Sequence, residues 1–121
     1  MIKLVYCLRR KPHLSSQQFR DYWLNVHGPI VRGYAPLLNI RRYVQHHPAY
    51  EAINEAMRKS RGAPEPYDGL AEIWFDSLEA MQAPAGSPEA RAAMRAVRED
   101  EAKFIDQARS PAWLGEEHEM L

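Results

Sequence analysis

One cysteine, Cys7, is all that 121 residues contain, so no disulfide can close within the chain. It stands in an apolar, strand-like run, where the expected state is a buried, inert thiol. An excess of either charge is also missing, since 16 Lys plus Arg balance 16 Asp plus Glu. A neutral chain has no general attraction to nucleic acid or to an anionic membrane, and neither partner is expected. No apolar run approaches the ~20 residues that cross a bilayer. The stretch Met1–Leu8 is too short for a secretory signal, and Arg9, Arg10 and Lys11 follow it, the wrong polarity. These absences predict a cytoplasmic protein. There is no glycine-rich phosphate loop, no G-x-S-x-G and no Cys/His nucleophile signature. His46 and His47 are adjacent and project to opposite faces of a strand, while His13, His27 and His118 lack ligand spacing. No metal and no cofactor are expected; haem, open in principle to a lone histidine, is the weakest option.

What is present describes one domain over residues 1–121, with 45% hydrophobic and 26% charged residues, enough for a real core. Residues 2–8 read as a strand with two apolar faces, which must be covered on both sides. Ser15 and Gln18 form a capping box, with Leu14 and Phe19 as its hydrophobic staple. At about 100° per residue, Tyr22, Val26, Phe19, Ile30, Trp23 and His27 share an arc of about 140°, with His27 at its edge. Gly28-Pro29 is expected to stop this helix near His27, and Pro29 to open a short turn over Ile30–Tyr34.

Residues 38–47 read as the second strand, with Ile40 and Val44 on one face and Tyr43, Gln45 and His47 on the other. Residues 50–59 have helical composition and 61–66 form a loop, so 48–66 reads as an insertion before the third strand at 67–75. Asp76 or Ser77 caps a short helix. Ser87-Pro88-Glu89 opens a longer one, 88–107, with an apolar stripe of Ala90, Met94, Val97, Phe104, Ile105 and Ala108. Residues 115–121 are expected as a charged edge strand. The order β-α-β-β-α-β predicts an α+β, ferredoxin-like fold with a four-stranded antiparallel sheet. Helices would cover one sheet face. The other would carry Tyr43, Gln45, His47, Glu72 and Trp74, a mixture suited to a pocket closed by a second subunit.

Two titratable residues stand out. His27 borders an aromatic helix face, and histidine is the side chain whose ordinary pKa lies near working pH. Glu101 falls between Ile105 and Ala108 on an otherwise apolar helix stripe, where a truly buried carboxyl would have a raised pKa.

Five segments in register then carry a resemblance across nearly the whole chain. They are Phe19-x-x-Tyr22-Trp23-x-x-x-His27-Gly28-Pro29, the run Tyr67 to Asp76, Ser87-Pro88-Glu89, Asp100-Glu101-x-x-Phe104-x-Asp106, and Glu116-Glu117-His118. Together they resemble the EthD domain family. The resemblance implies a dimeric α/β barrel in which two subunits pack sheet to sheet. It also implies cofactor-free chemistry on aromatic or polyketide-like compounds, of cyclase, decarboxylase, dehydratase or isomerase type. His27 matches the family's helix histidine and is the expected catalytic group. Tyr22, Trp23, Tyr43, Gln45, Glu72 and Trp74 are the expected ligand-binding residues, and a homodimer with a small hydrophobic or aromatic ligand is the expected assembly. The alternatives are an accessory or ligand-binding protein of a degradation pathway, and a cofactor-free monooxygenase or other oxidoreductase.

Overall fold

The computed structural model describes residues 1–121. Its strands are β1 (Ile2–Leu8), β2 (Arg42–His46), β3 (Gly69–Phe75) and β4 (Ala112–Gly115), paired antiparallel in the order β2-β3-β1-β4. The helices are α1 (Ser16–Tyr22), α2 (Gly28–Tyr34), α3 (Glu51–Arg61), α4 (Leu78–Gln82) and α5 (Pro88–Phe104). With α3 between β2 and β3, and α4 ahead of α5, this is the ferredoxin-like arrangement. No helix is long and apolar enough to cross a membrane.

Strand register decides which residues share a face, because directly paired residues point the same way. Tyr43, Ile73, Leu4 and Leu114 form one such row, and Gln45, Ala71, Tyr6 and Ala112 the next. Val44, Glu72, Val5 and Trp113 form a row on the opposite face, followed by Arg42, Trp74 and Lys3. The expected polar–aromatic face is therefore split. Tyr43, Gln45 and His47 lie under the helices, whereas Glu72 and Trp74 lie on the far side. Periodicity gives the alternation within each strand, but only the pairing of Val44 with Glu72 fixes β2 against β3.

The helical start is the one the sequence predicts. The Ser15 hydroxyl accepts from the Gln18 backbone N–H at 3.1 Å, and Gln18 Oε1 accepts from the Ser15 N–H at 2.9 Å. The expected stop at Gly28-Pro29 does not occur. Residues Trp23–His27 make a single π-helical turn, in which the Gly28 N–H bonds the Trp23 carbonyl five residues back. Gly28 keeps right-handed helical angles (φ −54°, ψ −50°), and α2 follows without a break. A proline is costly inside a helix because it lacks an N–H and strikes the carbonyl four residues back. A π turn re-routes these bonds locally, so the chain passes Pro29 without bending away. It also takes more residues per turn, which brings positions four apart into near-superposition. Phe19, Trp23, His27 and Val31 consequently form one buried row, at 0, 1, 5 and 4% exposure. Val26, expected on the packing face, is instead 41% exposed.

Three other boundaries differ. β2 begins at Arg42 because Asn39 takes a left-handed turn (φ 58°). α5 stops at Phe104, where the Phe104 carbonyl accepts from the Lys11 N–H (3.0 Å) and Arg10 bridges Ile105, drawing the chain into extended form. The fourth strand is Ala112–Gly115 rather than 115–121. Trp113 and Leu114 supply the β-favouring side chains, and Glu117 returns to bond the Trp74 indole and Lys3.

The core joins Leu8, Phe19, Trp23, Ala71, Phe104 and Ile105. Trp23 is clamped: its ring stacks on His47 (4.4 Å between centroids, 27° between planes) and its edge lies on Gly69. A Cβ on Gly69 would sit 2.3 Å from Trp23 Cζ3, whereas one on Gly33 meets nothing within 4 Å. Gly69→Ala is therefore expected to destabilise by about 2 kcal/mol or more. Gly33→Ala, at an exposed position of α2, should stabilise by about 0.5–1 kcal/mol. Urea denaturation of both variants checks the opposite signs; equal effects would contradict the clamp.

Candidate active site

Helix α5 spaces Ala90, Ala93, Asp100 and Phe104 so that an acid falls in a buried stripe. A carboxylate taken from water is costly unless donors surround it. Asp100 has them: the Tyr22 hydroxyl donates to Oδ1 at 2.5 Å, and His27 Nδ1 lies 2.7 Å from Oδ2. Lys103 Nζ approaches from outside at 3.6 Å. Desolvation alone would raise the Asp100 pKa, but the bonds from Tyr22 and His27 outweigh it, and the carboxyl is held below its ordinary value. Burial and the Asp100 bond push the Tyr22 hydroxyl up to about 12, so it stays a donor.

An ionised carboxylate only accepts, so His27 must carry its proton on Nδ1. Burial lowers the His27 pKa, against the opposing pull of Asp100. The ring is thus neutral near pH 7, with the lone pair on Nε2. Asp100 is the single hydrogen-bond partner of the ring. Since no fully buried side-chain nitrogen or oxygen lacks a partner, Nε2 is not sealed in the core. His27 lines a cavity of about 460 Å³ between the helices and the covered sheet face. Sixteen of its 21 lining residues are hydrophobic, which gives the few polar groups there a weakly screened setting.

Those polar groups include Tyr6, Tyr43, Arg98 and Glu101. Burial pushes the Glu101 carboxyl up to about 7, with Asp100 adding to the rise and Arg98 opposing it. Burial, then the charge of Glu101, raises the Tyr6 hydroxyl to about 12. Tyr43 is held by Gln45, whose Nε2 donates to the Tyr43 oxygen (2.8 Å) and to the Trp23 carbonyl (2.9 Å), while His47 Nε2 donates to Gln45 Oε1 (2.8 Å). No group of three or more His, Cys, Asp or Glu side chains is placed to hold a metal ion.

Of the residues expected at the site, His27, Trp23 and Tyr43 line this cavity. Tyr22 lies behind it, bonded to Asp100, and Gln45 braces Tyr43 from the side. Glu72 and Trp74 are not part of it: on the other sheet face Glu72 pairs with Lys3 (2.5 Å), and Lys3 and Arg42 cover the Trp74 ring. The cavity itself lies beneath the helices, not on the outward face where a second subunit was expected to close it. Asp100 is absent from the expected stripe. Reading α5 as Ala90, Ala93, Val97, Asp100 and Phe104, spaced three and four apart, would have revealed an acid among buried positions.

The EthD domain family matches residues 11–108. A dehydratase, ustZ of Ustilaginoidea virens, is 26% identical over 109 residues, covering 88% of this chain and 76% of the relative. An ethyl tert-butyl ether d (EthD) family protein from Bacillus halodurans superposes with a TM-score of 0.64 at 21% identity, covering 98% of this chain and 99% of that one. A dimeric ferredoxin-like protein from Thermobifida fusca gives 0.56 at 15% identity, covering 94% and 88%.

His27 and Glu101 affect stability in opposite directions. His27 binds its proton more weakly folded than unfolded, where its value is 6.5, so wild type loses stability relative to His27→Gln as pH falls through about 6.5. Glu101 binds its proton more tightly folded, so wild type loses stability relative to Glu101→Gln as pH rises from 4.5 to about 7. Denaturation curves across pH 4–8 (a range of about four units around these values) check both; parallel curves would contradict the burial of these groups.

Proposed function

The chain belongs to the EthD family, and on that premise we propose that it is a cofactor-free acid–base enzyme acting on a small, largely apolar, enolisable compound. The observation that supports this reading is His27: an imidazole that lines an apolar cavity, with Nδ1 fixed on a buried carboxylate and Nε2 without a protein partner. In that state Nε2 accepts a proton from carbon beside a carbonyl, and Asp100 stabilises the imidazolium that forms. Tyr6 keeps its proton well above neutral pH and supplies a donor for the developing enolate oxygen. Aromatic or polyketide-like ketones fit the wall of Trp23, Tyr43 and aliphatic side chains, and loss of water is the reaction class supported by the dehydratase relative.

The same reading includes a homodimer formed through the outward sheet face. That face carries Val5 and Leu70 beside Trp113, which is 54% exposed. Sheet-to-sheet pairing would bury these side chains, and the similar ferredoxin-like structure from Thermobifida fusca is itself dimeric.

Deuterium uptake from heavy water into phenylacetone, followed by NMR, tests the proton-transfer role. His27→Gln should slow enzyme-dependent exchange at least ~100-fold, with probe affinity little changed. Asp100→Asn, which no longer fixes the tautomer, should give an intermediate loss. The wild-type rate should hold down to pH 6.5 and fall below it as His27 takes up its proton. Exchange unaffected by His27→Gln would remove the assigned role. For the assembly, sedimentation velocity should show a dimer at micromolar concentration that Trp113→Glu dissociates; a wild-type monomer would contradict the pairing.

A further inference from the structure

Resting on the acid–base reading of the cavity, we infer that Glu101 is the second proton-transfer group, the acid that protonates the oxygen leaving the substrate while His27 serves as base. Position is the first argument. Met94, Val97, Arg98 and Glu101 form the α5 stripe over the cavity, Ile105 follows just beyond the helix end, and His27 reaches the same cavity from the facing helices. Adjacent residues on a helix diverge by about 100°, so Asp100 turns to Tyr22 and His27 while Glu101 turns toward the sheet. One acid is consumed in fixing the base, and its neighbour remains available.

Availability is the second argument. Asp100, Glu55, Glu72 and Glu117 are all engaged by basic groups, but the Glu101 carboxyl makes no hydrogen bond or ion pair. Arg98, one turn earlier, acts on it only through charge, with no contact inside 4.0 Å. Asp100 acts from the same helix, and Tyr6 and Tyr43 feel its charge from the sheet. The carboxyl oxygens are not sealed in the core either, because no fully buried oxygen lacks a partner. A half-buried carboxyl, unpartnered at an apolar cavity, is poised to meet a ligand oxygen. The value of about 7 keeps much of it protonated at neutral pH.

The chemistry has a use for such a group. Hydroxide is a poor leaving group, being the conjugate base of a very weak acid, water. In a β-hydroxy ketone, His27 Nε2 takes the proton on the carbon next to the carbonyl, and the electron pair forms the carbon–carbon double bond. The carbon–oxygen bond then breaks, and the Glu101 proton joins the departing oxygen, which leaves as water. His27 ends protonated and Glu101 ionised; one proton passed between them through solvent restores both. Nothing is oxidised or reduced.

The test compares two leaving groups on one skeleton: the aldol adduct of benzaldehyde with acetone, and its acetate ester. Both yield benzylideneacetone, read by its absorbance. Acetate departs as a stable anion and needs no proton. Glu101→Gln should therefore lose at least ~100-fold in kcat/KM on the alcohol and stay within about 5-fold of wild type on the ester. Glu101→Asp should recover part of the loss on the alcohol. The decline of the wild-type alcohol rate above about pH 7 should vanish in Glu101→Gln. His27→Gln should lose activity on both compounds. An equal loss on both for Glu101→Gln, or no loss, overturns the role of Glu101 and leaves that of His27 standing. Wild-type turnover of neither compound overturns the elimination reading and this assignment with it.

Discussion

A buried carboxylate on α5 is the constraint around which the molecule is arranged. Asp100 cannot stay ionised in the core without donors, and its donors come from a distant part of the chain, Tyr22 and His27. Those bonds fix the height and rotation of α5 against α1 and α2. With α5 so placed, Phe104 meets the rings of Phe19, Tyr22 and His27, and the helices stand off the sheet far enough to leave a cavity. The π turn belongs to the same requirement. It puts His27 in register with Phe19 and Trp23, so that a residue otherwise on the helix margin reaches the carboxylate. The turn is also braced from the sheet, where the Gln45 amide donates to the Trp23 carbonyl.

The cavity acts on His27 and Glu101 in opposite ways. Burial disfavours whichever form is charged, so it lowers the histidine and raises the carboxyl. Both move toward neutrality near pH 7, which leaves a proton acceptor and a proton donor at one cavity. One apolar environment acting on two chemistries produces that difference. The outward sheet face follows another logic. There Lys3, Glu72, Trp74, Arg42 and Glu117 satisfy one another, leaving Trp113 exposed beside them.

Much of the fold was legible because it rests on local signals. The Ser15–Gln18 box, the Ser87-Pro88 start and the alternation along β1 and β3 each depend on neighbouring residues, and they give the element order. What was not legible depends on partners distant in sequence. Pro29 reads as a stop because the π turn that accommodates it is fixed by packing, not by any residue within it. The split of Tyr43 and Gln45 from Glu72 and Trp74 is a matter of register between β2 and β3, which neither strand encodes alone. His27 and the oddity of Glu101 were visible from chemistry and helical phase. Asp100 stood in one of the segments that carry the resemblance but drew no role, because a charged residue on a helix ordinarily marks the solvent side.

The central claim is the protonation state of His27, and nitrogen-15 NMR of the histidine rings measures it directly. The account predicts a neutral ring at pH 7 carrying its proton on Nδ1, with Nε2 showing the shift of an unprotonated nitrogen and titrating below the ordinary value of 6.5. An imidazolium at pH 7, or a neutral ring protonated on Nε2, would contradict it.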